Sequence, residues 1–202
     1  MPLKIMSIQN HGMPQNKMHI IIRAVKKRIE INYIKKHLPY AEILFDSTNN
    51  AMDTFLKALE TAKNMPCLHM EKDIYITKNF KEKVEVAIVK RPNEAIQFFS
   101  MRSADKTIGS RYDYGRTFMV NQCFYLPAGY SKMISDFYPE WPKKEIHKTG
   151  YDILIADFLK SRKEKYFISV PSLVQHRVGK SLINPKRSAF RQSLTFKEGI
   201  YD

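Results

Sequence analysis

The first 80 residues alternate between two kinds of hydrophobic pattern, and that alternation narrows the folds open to the chain. Residues 18–25 (MHIIIRAV) are a short apolar run of strand type. Residues 26–37 place Ile29, Ile31, Tyr33 and Ile34 among charges, a helical pattern that stops before Pro39. Residues 41–45 predict a second strand. Asp46-Ser-Thr-Asn-Asn50 follows as turn chemistry with an N-cap available to the next helix, which carries Met52, Phe55, Leu56 and Leu59 at helical spacing. Residues 66–70 open a third strand. Strands that alternate with helices pair in parallel, because each helix is the crossover that returns the chain to the same edge. The expected fold is α/β: one Rossmann-like domain with a mostly parallel central sheet flanked by helices.

Beyond residue 80 the pattern loosens. Residues 84–89 predict a strand, 103–116 a polar, glycine-containing loop, and 117–126 another strand. Residues 130–138 read as a short helix, 151–160 as a helix with Ile153, Leu154, Ile155, Phe158 and Leu159 on it, and 166–170 as a late strand. The expected organisation is an irregular segment over 1–17, a catalytic domain over 18–178, and a basic tail over 179–202 that closes over a site.

Hydrophobic residues make up 44% of the chain, too much for a disordered sequence. No apolar run reaches the roughly 18 residues a membrane-crossing helix needs. The N-terminus lacks the apolar core and cleavage site of a secretory signal. Cys67 and Cys123, without CxxC spacing, predict buried thiols in a reducing compartment, so the expected location is the cytoplasm.

The formal net charge is +14. It is concentrated: six cations and one acid lie between Arg23 and Lys36, ten cations and one acid between Lys160 and Lys197. Such clusters predict attraction to nucleic acid, an anionic membrane or phosphate-bearing substrates.

Three segments carry chemistry. Glu71-Lys72-Asp73 ends a buried-type strand, where open α/β sheets bind ligands, and its acids suit a divalent cation together with a ribose or diphosphate. Asp152 opens a helix, where the dipole stabilises a carboxylate able to take a proton from a hydroxyl. Val170-Pro-Ser-Leu-Val-Gln-His176 ends in a histidine, and the cations Lys180, Lys186, Arg187 and Arg191 after it suit a diphosphate.

Taken in this order, the three segments resemble the small GT-A glycosyltransferases of bacteria and phages over roughly residues 18–196. The resemblance is most specific in the Pro-Ser-Leu-Val-Gln-His stretch. It implies a nucleotide-diphosphate sugar as donor, a UDP-sugar foremost, and Mn²⁺ or Mg²⁺ as cofactor. It matches Asp73 to the metal-contacting Asp, His176 to the late histidine that completes metal or diphosphate binding, and Glu71 to a nucleotide-binding residue. Asp152 matches the catalytic base of inverting members. Arg23 and Asp46, at the ends of the first two strands, fall where such folds hold the nucleoside. Lys72 departs from the pattern, since an acid is common there; a lysine contacts phosphate directly and lessens dependence on metal.

The net charge then points to a polyanionic acceptor: phage DNA carrying a hydroxylated base, with Arg102, Arg111, Arg116, Tyr112 and Tyr114 available to meet it, and host cytoplasm as the place. A lipid-linked or cell-envelope glycan is the alternative acceptor. A basic nucleic-acid-binding protein without catalysis is the alternative class, although no zinc spacing or recognition-helix signature accompanies it.

Overall fold

A computed structural model describes residues 18–25, 31–114, 118, 122–179 and 188–197. Among the described residues up to 62, the expected alternation is followed: β1 (His19–Val25), α1 (Ile31–His37), β2 (Glu42–Asp46) and α2 (Ala51–Ala62). Asn50 caps α2 as its chemistry predicts, its side chain accepting from the Met52 amide at 3.0 Å. Then come β3 (Cys67–Glu71), β4 (Ile74–Ile76), α3 (Phe80–Lys90), β5 (Ile96–Gln97), α4 (Asp105–Ile108), β6 (Arg111–Tyr114), β7 (Cys123–Leu126), α5 (Tyr130–Phe137), α6 (Tyr151–Ser161), β8 (Lys165–Ile168) and β9 (Val174–His176).

Seven strands form one sheet in the order β2-β1-β3-β7-β5-β8-β6. β1, β2, β3, β5 and β8 run in one direction; β7 and β6 run against their neighbours. The sheet is therefore mostly parallel with helices on its faces, as expected. β4 and β9 make a separate antiparallel pair, with Ile74 opposite His176.

The period of two along each strand divides the core. Ile20 and Ile22 of β1, with Leu68 and Met70 of β3, pack with Ile34, Val84, Phe98 and Phe99. The opposite face of the sheet receives α2, α5 and α6 through Phe55, Leu59, Phe124, Leu126, Ile134, Trp141, Leu154, Ile155 and Phe158. Each fully buried Ile, Leu or Phe contributes ~1.5–3 kcal/mol of transfer free energy, so the second layer is held by side chains of α6 as much as by the sheet.

Three expectations are corrected. Residues 84–89 are part of helix α3, not a strand. Phe80 and Val84, one turn apart, face the core, while Val86 and Val89 are exposed, so the β-branched residues mark an outer helix face. Residues 103–116 are not simply a loop: they hold α4 and the edge strand β6, tied by an ion pair between Arg111 and the buried Asp105. Of 117–126, only Cys123–Leu126 is strand among the described residues.

Candidate functional site

The site lies at the carboxyl end of β3. Alternation places Glu71 on the face that receives α6, and Arg23 is its register partner on β1, so both point to the same layer. After Glu71 the chain turns through Lys72 and Asp73 into β4. Because β4 pairs with β9, the Arg177 amide donates to the Asp73 carbonyl at 2.9 Å, and His176 swings next to the Asp73 side chain. His176 Nε2 lies 3.5 Å from Asp73 Oδ2. One carboxylate oxygen each of Glu71 and Asp73 and one ring nitrogen of His176 all lie within 4.8 Å of one another.

The donor set suits a divalent ion. Two carboxylates and an imidazole together offer oxygen and nitrogen ligands to a divalent cation. His176 is buried, and neither of its ring nitrogens has a hydrogen-bond partner among the described residues. A buried imidazole with no such partner is costly unless something else binds it. A cation held by Glu71 and Asp73 would answer that need, and the residues present fit the group.

Glu71 is anchored from below. The hydroxyl of Tyr151, the first residue of α6, donates to Glu71 Oε1, and Arg23 Nη2 donates to that same hydroxyl at 3.2 Å. The Arg23 guanidinium is itself stacked among the rings of Tyr151, Phe55 and Phe124 at 4.6, 5.4 and 5.5 Å. Burial pushes the Tyr151 phenol well above its ordinary range; the cation of Arg23 opposes this and the carboxylate of Glu71 adds to it, so the hydroxyl keeps its proton and acts as donor. Gln122 approaches Glu71 Oε2 at 3.5 Å. Asp152, next in the chain to Tyr151, sits in the first turn of α6, half-buried, with its carboxylate accepting from the Ile153 amide at 3.1 Å.

Lys72 is buried, and its ammonium donates to the Val25 carbonyl at 2.9 Å, tying the ends of β1 and β3 together. Asp46 Oδ1 accepts from the Thr48 and Asn50 amides at 3.1 and 3.2 Å, which shapes the turn into α2. Lys180 and Arg187 lie outside the described residues, as do Lys186 and Arg116. Arg191 is half-buried, and its Nε has no hydrogen-bond partner among the described residues.

The tail near it docks through side chains. Gln175 accepts from the Ser193 amide at 2.7 Å and donates to the Ser193 carbonyl at 3.1 Å, and Ser172, Ser193 and Thr195 share a buried hydroxyl cluster. The Gly179 amide donates to the Ala189 carbonyl at 3.2 Å.

Two arginines expected to meet nucleic acid face inward. Arg102 donates to Gln97 Oε1 and the Tyr166 hydroxyl at 3.3 and 3.1 Å, and Arg111 is paired with Asp105. Tyr112 and Tyr114 do stand exposed on the edge strand β6.

Sequence reasoning missed Tyr151, Gln122 and Arg177. Tyr151 reads as one more apolar residue of α6; only its neighbour Asp152 marks the spot. Arg177, whose guanidinium packs 4.0 Å from the Tyr75 ring centroid, follows His176 directly. A cavity of about 440 Å³ lies past the other end of β4, between Thr77, Lys83, Ser172, Leu173 and Phe196, away from Asp73.

No protein-family model matches the sequence, and no curated relative matches it. Among solved structures the chain is similar to CTP:phosphocholine cytidylyltransferase from Streptococcus pneumoniae (LicC). The identity is 15%, the TM-score 0.47, and the match covers 78% of this chain and 72% of that one.

Proposed function

We propose that this protein is a metal-assisted glycosyltransferase that moves a sugar from a nucleotide-diphosphate donor, a UDP-sugar foremost, to an acceptor hydroxyl. The observation that carries this reading is the convergence of Glu71, Asp73 and His176 at the end of β3, with ligand atoms within 4.8 Å, beside the helix that begins Tyr151-Asp152. Mn²⁺ or Mg²⁺ held there supplies Lewis-acid stabilisation to a leaving diphosphate.

The chain's own residues do the rest. Asp152 is the proposed general base: it takes the proton of the acceptor hydroxyl as that oxygen attacks the anomeric carbon. The bond from that carbon to the diphosphate oxygen breaks, and the nucleoside diphosphate leaves with the electron pair. With Asp152 as base and no further carboxylate assigned as nucleophile among the described residues, the displacement we propose is an inverting one. The roles of Arg23 and Asp46 toward the nucleoside are indirect in this reading: Arg23 acts beneath Glu71, and Asp46 shapes the loop after β2. Lys72 ties β1 to β3 at the floor of the site. Arg191, and on the sequence pattern alone Lys180 and Arg187, are the proposed cations for the diphosphate.

For the acceptor, the net charge of +14 favours a polyanion. We place a hydroxylated base of modified phage DNA first, with Tyr112 and Tyr114 as exposed rings for it. A screen of nucleotide sugars by thermal shift, with and without Mn²⁺, tests the donor half, since a ligand that binds only the folded chain raises the midpoint. A rise with a UDP-sugar that depends on Mn²⁺ is expected; no rise with any nucleotide sugar contradicts the reading. Radiolabelled sugar appearing on hydroxymethylated DNA supports the acceptor, and transfer to a lipid-linked or envelope glycan instead refutes it.

A further inference from the structure

We propose that Tyr151, held by Arg23, is a positioning residue that fixes the carboxylate of Glu71 for the ion and links the metal centre to the helix bearing Asp152. The inference rests on the reading of Glu71, Asp73 and His176 as a metal centre.

The geometry runs in one direction. The Tyr151 hydroxyl donates to Glu71 Oε1, and its oxygen is the acceptor for Arg23 Nη2 at 3.2 Å. A chain of this kind, cation to hydroxyl to carboxylate, polarises each bond toward the next. It is stiff as well as polar. Arg23 and Glu71 are register partners on adjacent parallel strands. Arg23 is buried beneath three aromatic rings, and Tyr151 stacks on Phe55 with centroids 4.8 Å apart. Neither donor can swing away without opening the layer.

Oε1 is thereby fixed, and the plane of the carboxylate with it. Oε2 meets Gln122 only at 3.5 Å, so it is the oxygen presented to a cation shared with Asp73 and His176. Partners of this kind behind a ligand commonly set metal affinity as strongly as geometry at the ion itself. Because Asp152 follows Tyr151 on the first turn of α6, the same hydrogen bond sets how far the proposed base stands from the metal centre.

The test is a Mn²⁺ titration of the full chain, followed by the loss of the free-ion signal in electron paramagnetic resonance, which needs no substrate and no turnover. Tyr151→Phe keeps the ring and removes the donor; its Mn²⁺ affinity is expected to fall about 10-fold. Tyr125→Phe removes another buried hydroxyl, one bonded to the Pro92 carbonyl, and is expected to bind as wild type. In a Glu71→Gln background, already weakened, adding Tyr151→Phe is expected to change affinity by less than about twofold, because the carboxylate it positions is gone.

Wild-type affinity in a folded Tyr151→Phe, with Glu71→Gln weakened, overturns this inference alone. A full 10-fold loss that persists in the Glu71→Gln background overturns it too, since the effect then does not pass through Glu71. Wild-type affinity in Glu71→Gln overturns the metal-centre reading itself. Should Tyr151→Phe not fold, Arg23→Lys, which keeps the cation but loses the Nη2 contact, is expected to weaken Mn²⁺ in the same direction, and wild-type affinity in it refutes the relay.

Discussion

His176 Nε2 stands 3.5 Å from Asp73 Oδ2 across the β4–β9 pair. Backbone pairing creates this contact: Ile74 opposite His176 brings the residue before β4 against the end of β9. The imidazole is buried and has no hydrogen-bond partner among the described residues. His176→Ala should therefore weaken Mn²⁺ binding by at least the roughly 10–100-fold that loss of an outer-shell partner costs. Isothermal titration with Mn²⁺ measures this, and an unchanged isotherm would remove His176 from the proposed metal centre.

Arg111 offers a contrast between structural and functional cations. Its guanidinium pairs with Asp105, whose side chain is fully buried, while Arg111 itself is 20% exposed. Removing one partner of a buried pair strands the other, at a cost of about 3 kcal/mol or more. Arg111→Ala should lower stability by that order in urea unfolding, while polyanion binding by the folded variant and its salt dependence stay close to wild type. Binding that falls with stability intact would make Arg111 a polyanion contact after all.

Asp157 gives the chain a pH-dependent element. Burial raises its pKa, but hydrogen bonds from Trp141 Nε1 at 2.9 Å and from Lys143 outweigh this, and the carboxyl is held below its ordinary value of 3.8. A depressed folded pKa stabilises the fold above the unfolded value, and that gain is lost as pH falls through the folded one. Asp157→Asn should thus be less stable than wild type near neutrality by about 1 kcal/mol, with the gap closing below pH 3.8. Trp141 is the sole tryptophan, so its fluorescence follows unfolding directly; a pH-independent gap would contradict the assignment.

Asn50 is the N-cap of α2, accepting from the Met52 amide. Asn50→Ala should cost about 1 kcal/mol in stability, read as a lower thermal midpoint. Because Phe55 on the same helix covers Arg23, a modest loss of Mn²⁺ affinity should accompany it. A midpoint equal to wild type would show that the cap contributes nothing.

The parts of this architecture that were legible from the sequence are those with local causes. β1 through β3 announce themselves because each is a short apolar run bounded by turn residues, and α2 because Asn50 precedes a helical spacing of Met52, Phe55 and Leu59. Glu71, Asp73, Asp152 and His176 stand out as polar residues at element ends. What was not legible has non-local causes. α3 looks like a strand because Val84, Val86 and Val89 are β-branched, and only packing shows which of them faces inward. β5 has two residues and exists through its neighbours β7 and β8. The partnership of Arg23, Tyr151 and Glu71 joins three elements, and no spacing in the chain encodes it. Arg102 and Arg111 look like surface cations until Gln97, Tyr166 and Asp105 are seen beneath them.

A proposed metal centre serving sugar transfer from a nucleotide makes the decisive readout the release of nucleoside diphosphate from a nucleotide sugar, with Mn²⁺ varied, in wild type and Asp73→Ala. Release should require Mn²⁺ in wild type and fall at least about 100-fold in Asp73→Ala, with the far-ultraviolet circular dichroism unchanged. Release by Asp73→Ala at the wild-type rate, or wild-type release indifferent to Mn²⁺ after chelation, would contradict it.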